Sequence, residues 1–190
     1  MKQIAYLFLF IPILTFAQSL NSSLGFAGFG DPVDGYYFSF DISFPISKSF
    51  EVAPTFTFAS NTDFDHGKFF YRTIDGLLKE EDLENNRGRQ VGTAEMFIYF
   101  KPLMLFHKDI DFKIGSGFGV SNHTYSFYVV DEEGNITLGS EYGLNYSFSL
   151  RIIYNYHIKN YYFGVVVGAS DLISYGNSLI GMQFGISLDR

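Results

Sequence analysis

Between Tyr142 and Asn155 the chain alternates with a period of two. The even positions Tyr142, Leu144, Tyr146, Phe148, Leu150, Ile152 and Tyr154 are apolar or aromatic. The odd positions Gly143, Asn145, Ser147, Ser149, Arg151 and Asn155 are small or polar, Ile153 excepted. A helix would spread both sets around its circumference, whereas a strand puts them on opposite faces. The same alternation predicts seven more strands. Residues 178–188 set Ile180, Met182, Phe184 and Ile186 against Gly181, Gln183 and Gly185. Residues 161–170 set Tyr161, Phe163, Val165 and Val167 against Gly164 and Gly168. In 111–123, Phe112, Ile114, Phe118 and Val120 oppose Lys113, Gly115, Gly117 and Gly119. In 91–102, Met96, Ile98 and Phe100 oppose Thr93, Glu95 and Lys101. Residues 50–59, 36–46 and 19–29 behave likewise, the last most weakly.

Taking the first strand as running outward, short turns fall near Ser47-Lys48, Met104–Asp109 and His157–Asn160. The opposite connections are Asp31–Asp34, Asn61–Gln90, Asp131–Gly139 and Asp171–Asn177. Asn61–Gln90 is too long for a compact soluble domain without a purpose, and suits an external loop. Within it, Ile74–Glu84 is a candidate helical turn.

Period two alone does not separate a membrane barrel from a soluble sandwich, since each has one apolar face. The polar face decides. It is Gly, Ser, Ala, Asn and Thr with isolated charges, which suits the crowded interior of an eight-stranded barrel better than a water-facing surface. Tyr142 and Tyr154 would lie roughly 28 Å apart along a membrane normal at about 3.3 Å per residue and a tilt near 45°. Composition agrees: 19% of residues are aromatic and only 17% charged, against about 25% charged in ordinary globular chains. The expected fold is therefore all-β: an eight-stranded antiparallel up-and-down transmembrane barrel with short periplasmic turns and longer external loops. A soluble secreted β-sandwich or lipocalin-like binding module is the alternative from another class.

Residues 1–17 read as a signal peptide. Lys2 is followed by the apolar run Ile4–Phe16, and Thr15-Phe16-Ala17 predicts cleavage before Gln18. That leaves 18–190 as one barrel domain, exported from the cytoplasm by the general secretory route. The net charge of −7 becomes one unit more negative without Lys2 and argues against nucleic acid as a partner. With no cysteine, disulfides, thiolate metal sites and a lipidated cysteine anchor are excluded.

With these marks, the chain resembles the small outer membrane β-barrel proteins, namely the OmpA-type transmembrane domain and the OmpX and OmpW types. The resemblance rests on the leader, the eight alternating strands and the Gly-rich final strand Met182-Gln183-Phe184-Gly185-Ile186-Ser187-Leu188. It implies residence in a bacterial outer membrane, with the bilayer lipid and the barrel-assembly machinery as partners and a monomeric state. The ending Leu188-Asp189-Arg190 departs from the aromatic terminus common in such barrels. A peptidoglycan-binding domain after the last strand is not expected.

Seven charges fall on the inward set: Asp41, Glu51, Glu95, Lys101, Asp111, Lys113 and Arg151. Because an unpaired buried ion costs several kcal/mol, Arg151 and Lys113 are expected to bridge Glu95, Asp41 and Asp111, with Lys101 and Asp111 meeting near one turn. Such a network plugs a closed barrel or lines a gated pore. The narrow lumen of eight strands favours the plug. His123, Ser126 and Glu141 are a conceivable triad, but His123 and Ser126 have opposite parity. No Gly-x-Ser-x-Gly elbow or His-Glu-x-x-His helix is present. His66, His107 and His157 are too dispersed for a metal site. Gly115-Ser116-Gly117-Phe118-Gly119 lacks the helix a dinucleotide fingerprint needs. Its alternate glycines would instead make room for bulky side chains opposite. Asn122-His123-Thr124 and Asn135-Ile136-Thr137 match glycosylation sequons by chance, and the acidic runs at 80–82 and 131–133 read as solvated loop faces. No catalytic, cofactor or metal site is expected. The expected role is non-enzymatic, structural or surface-interacting, with a narrow channel or carrier for small or apolar molecules as the alternative.

Overall fold

The computed structural model describes residues 18–28, 35–61, 88–102, 110–130, 136–173 and 176–188. Residues 1–17, His66, His107 and the helical turn expected within Ile74–Glu84 lie outside these. The strands are β1 (Ser19–Gly28), β2 (Gly35–Pro45), β3 (Phe50–Ser60), β4 (Gly88–Phe100), β5 (Ile110–Val130), β6 (Ile136–Ile158), β7 (Tyr161–Ser170) and β8 (Asn177–Ser187). Each pairs antiparallel with its neighbours in sequence, and β1 pairs with β8, closing the ring.

The register fixes the shape. Following hydrogen-bonded partners from Leu144 through Asn122, Gly92, Phe58, Phe38, Leu24, Met182 and Val165 leads back to β6 at Tyr154, ten residues further along. With strands about 4.8 Å apart and about 3.3 Å per residue, a stagger of ten over eight strands tilts them about 41° and sets a backbone radius near 8 Å. Opposite walls are thus close enough for inward side chains to meet.

Alternation sorts the two faces as the sequence implies. Leu24, Phe26, Phe38, Phe56, Met96, Ile98, Phe118, Ile152, Val165, Ile180 and Phe184 point outward and are exposed, whereas Asn21, Ser39, Thr55, Thr93, Ser121, Ser149, Asn155 and Gln183 are buried inside. Aromatic residues mark both borders of this outward belt. Tyr36, Tyr142 and Tyr146 stand toward the end that carries the 61–87 connection (the loop end), and Phe50, Phe100, Tyr156, Tyr161 and Phe163 toward the other (the turn end). Tyr146 and Tyr156 are ten residues apart on β6, which at this tilt is about 25 Å along the barrel axis.

Three features depart from the sequence reading. The connection expected at Asp131–Gly139 is shorter, because β5 and β6 stay paired as far as Val130↔Ile136. Phe127-Tyr128-Val129-Val130 has no period of two, yet is rich in residues that favour strands. At the turn end, β6 continues through His157 to Ile158, leaving Lys159-Asn160 as a two-residue turn in which Lys159 takes a φ of 58°. Finally, Pro54 sits inside β3. Its missing N–H interrupts the β2–β3 register between Asp41↔Thr55 and Phe44↔Val52, while the β4 side stays paired through Pro54↔Met96.

The lumen is not uniformly polar. Phe97 and Tyr99 stack at 5.3 Å inside it and pack with Ala53, Ile153 and Val166, while Tyr37 joins Ala27, Ala59 and Leu179. Glycine accommodates these rings. A Cβ on Gly117 would collide with the Phe97 ring and one on Gly115 with Tyr99, just as Gly185 yields to Tyr162. The Gly-x-Gly-x-Gly run is the smooth wall against which two aromatic side chains lie.

Candidate functional site

All seven charges expected inside are buried there, Arg151 to 2% exposure. They fall into three tiers. At the turn end, Glu51 is the hub. Its carboxylate pairs with Lys101 and, at 2.6 Å, with Lys113, and Ser43 donates to it at 3.3 Å. Lys113 also reaches Asp111 at 3.1 Å, and His157 lies 4.0 Å from the same carboxylate while stacking on Tyr162. Asn21 donates to Asp41 and, at 3.2 Å, to Ser43.

Arg151 occupies the middle. Its Nη1 donates to Ser39 at 2.9 Å, its Nη2 donates to Thr57, and its guanidinium lies 4.7 Å over the Phe97 ring. The expected bridges from Arg151 to Glu95, Asp41 and Asp111 are not formed among the described residues. Hydroxyls and an aromatic face take the place of carboxylates. Nor does Lys101 pair with Asp111; Glu51 holds it instead. Of the expected pairings, only Lys113 with Asp111 forms.

Toward the loop end, Glu95 accepts from Ser147 at 2.7 Å, Ser149 at 2.6 Å and Thr93 at 3.4 Å, so hydroxyls stand where a cation was expected. Ser149 also accepts from the backbone N–H of Asp171 at 3.1 Å, which links this tier to the connection after β7. Asp171 is fully buried, with a φ of 57° that side chains rarely adopt. Its carboxylate accepts from Ser121 at 2.9 Å and meets His123 Nε2 at 2.7 Å.

Sequence reasoning missed Asp171, because the residue closes a strand and reads as the start of a loop. His123 is inward and fully buried, whereas the side chains of Ser126 and Glu141 lie outside those described. The Ser121–His123–Asp171 cluster contains the residue types of a hydrolytic triad but not its geometry. One imidazole nitrogen, Nε2, faces both the hydroxyl, at 3.1 Å, and the carboxylate, whereas a relay needs them on opposite nitrogens. All three groups are also closed to solvent. The cluster is a clasp that ties the β7–β8 connection into the mouth of the barrel. Among the described residues no group of three His, Asp or Glu side chains is placed to hold a metal ion.

No protein-family model matches the chain, and no curated protein matches it in sequence. Solved structures do. Ail, the attachment invasion locus protein of Yersinia pestis, superposes with a TM-score of 0.50 at 11% identity, over 90% of this chain and 99% of that one. Neisserial surface protein A gives 0.55 at 7% identity, over 90% and 94%. The N-terminal β-barrel domain of Pseudomonas aeruginosa OprF gives 0.49 at 9% identity, over 90% and 97%. At such identities the likeness is one of fold, and the fold is that of the small eight-stranded outer membrane barrels.

Proposed function

We propose that this chain is an integral protein of a bacterial outer membrane, non-enzymatic, with its lumen plugged and its role exercised structurally or through the connections at the loop end. The observation that carries this reading is the distribution of apolar surface. Every strand turns large apolar side chains to the exterior, while the buried charges of Glu51, Lys113, Arg151 and Glu95 lie inside. A water-soluble protein rarely exposes contiguous apolar patches beyond a few hundred Å². In hydrocarbon the same surface is favourable, and a closed ring leaves no backbone edge unsatisfied. The tiers of the lumen support the plug, since Arg151 reaches across from β6 to Ser39 on β2 and Thr57 on β3, and the stacked rings of Phe97 and Tyr99 are buried inside with it.

The test has two parts. The folded protein is expected to resist alkaline extraction from outer membranes and to migrate faster on gels unboiled than boiled. A monodisperse mature chain in plain buffer would refute the membrane assignment. In planar bilayers the wild-type barrel is expected to pass no current. Steady conductance that Arg151→Ala abolishes would replace the plug by a selective pore.

A further inference from the structure

The outward belt is not evenly studded. Two hydrogen-bonded rows, Phe38–Phe58–Gly92–Asn122–Leu144 and Phe40–Phe56–Ala94–Val120–Tyr146, have their smallest members, Gly92 and Ala94, side by side on β4. The result is a groove of about 380 Å³ walled by Phe38, Phe56 and Phe58, with Asn122 and Leu144 toward one end and Phe40 at the other. Gly92 is the telling residue. The lumenal glycines Gly115 and Gly117 stand against aromatic rings, but a Cβ on Gly92 would meet nothing within 4 Å. Among the described residues no contact requires glycine here. What its absent side chain provides is space.

From the strand tilt, each strand crossed along a row steps about 3 Å down the axis, so Asn122 and Phe40 differ in height by about 14 Å. That is about half of a ~30 Å hydrocarbon core, the depth one leaflet's chains reach. Asn122 is the polar member of its row, level with the border where lipid ester carbonyls lie. Accepting the membrane reading above, on which this inference rests, we infer that the groove is a binding site for one acyl chain of a bilayer lipid of the loop-end leaflet. Asn122 donates to that lipid's carbonyl, and the Phe rings flank its methylenes. Lipid tails are as apolar as the groove, so preference arises from packing and the hydrogen bond rather than from exclusion of water.

The chain contains no tryptophan, so single reporters can be read without background. Phe56→Trp places one in the groove wall. Ile180→Trp places one at the same height on β8, outside the groove. Both proteins are folded into vesicles of ether-linked phosphatidylcholine, which lacks the ester carbonyl, carrying a small fraction of ester-linked chain-brominated phosphatidylcholine, and tryptophan quenching is measured. The groove reporter is expected to show roughly threefold stronger relative association with the brominated lipid, since only that lipid offers a carbonyl to Asn122 and one net hydrogen bond is worth about that factor. Gly92→Leu, which fills open space and leaves the fold intact, is expected to reduce it to the Ile180→Trp level. Equal quenching at both reporters, or insensitivity to Gly92→Leu, overturns the site while leaving the membrane reading intact. Absence of quenching at both overturns the membrane reading itself. A dimer in detergent that Gly92→Leu converts to monomer also overturns the inference, because the groove would then seat a second copy of the chain.

Discussion

Replacing Glu51 by Gln tests the lumenal network at its most connected point. The carboxylate is 1% exposed and faces two ammonium groups, Lys101 and Lys113 at 2.6 Å, of which, among the described residues, only Lys113 has a second acid, Asp111 at 3.1 Å. Gln keeps the shape and the capacity to accept from Ser43 but removes the charge. Lys101 is then left buried without a counterion. Breaking a buried pair from one side costs about 3–5 kcal/mol, whereas replacing all of its members by apolar groups of similar volume is often neutral or stabilising. Glu51→Gln is therefore expected to lower stability by about 3–5 kcal/mol. A variant combining Glu51→Leu, Lys101→Met, Lys113→Met and Asp111→Asn should recover most of that loss. Reversible urea unfolding in phospholipid vesicles, followed by the mobility difference between folded and unfolded bands, measures both. A loss under about 1 kcal/mol, the range of exposed ion pairs, would refute the reasoning and show that the turn end of the lumen is wet.

Gly117→Val drives a branched side chain into the Phe97 ring, and a cost of about 1–3 kcal/mol for overpacking is expected in the same assay. Met96→Arg puts a cation near the middle of the outward belt. If that belt faces hydrocarbon the loss is about 2–4 kcal/mol, whereas a water-facing position would leave stability almost unchanged. Asp171→Ala removes the acceptor of Ser121 and the partner of His123. A loss of about 1–3 kcal/mol is expected, with faster amide exchange at Leu172 and Gly176, whose backbone bonds flank the clasp; Asp171→Asn, which tolerates the same backbone conformation, should cost less.

How much of this was legible in the sequence depends on whether a feature needs one strand or several. Period two is a property of one strand, so the eight strands and the inward direction of seven charged side chains could be read from it; Glu51, Lys113 and Arg151 point where parity puts them. Partners depend on register and stagger, which alternation does not encode. Arg151 finds Ser39 and Thr57 rather than a carboxylate because the ring of pairings sets those hydroxyls beside it. Phe97 and Tyr99 were illegible for another reason. In Met96-Phe97-Ile98-Tyr99-Phe100 both faces are apolar, and only the pairings Phe97↔Gly117 and Tyr99↔Gly115 show that one face meets glycine. Asp171 was hidden because a buried aspartate in a left-handed conformation looks, in sequence, like any loop aspartate.

The seam between β1 and β8 has a kinetic consequence. It joins Ser19 to Ser187 and Gly28 to Ser178, nearly the whole length of the chain apart, whereas every other junction connects neighbours in sequence. Closing so large a loop is entropically costly, and topologies dominated by distant pairings form slowly. Seven junctions can zip up locally, but until the eighth forms the incomplete sheet has two raw margins able to recruit foreign strands. The order of events is thereby imposed: β8 must be made before the last join can form, and until then the two margins stay open to other chains.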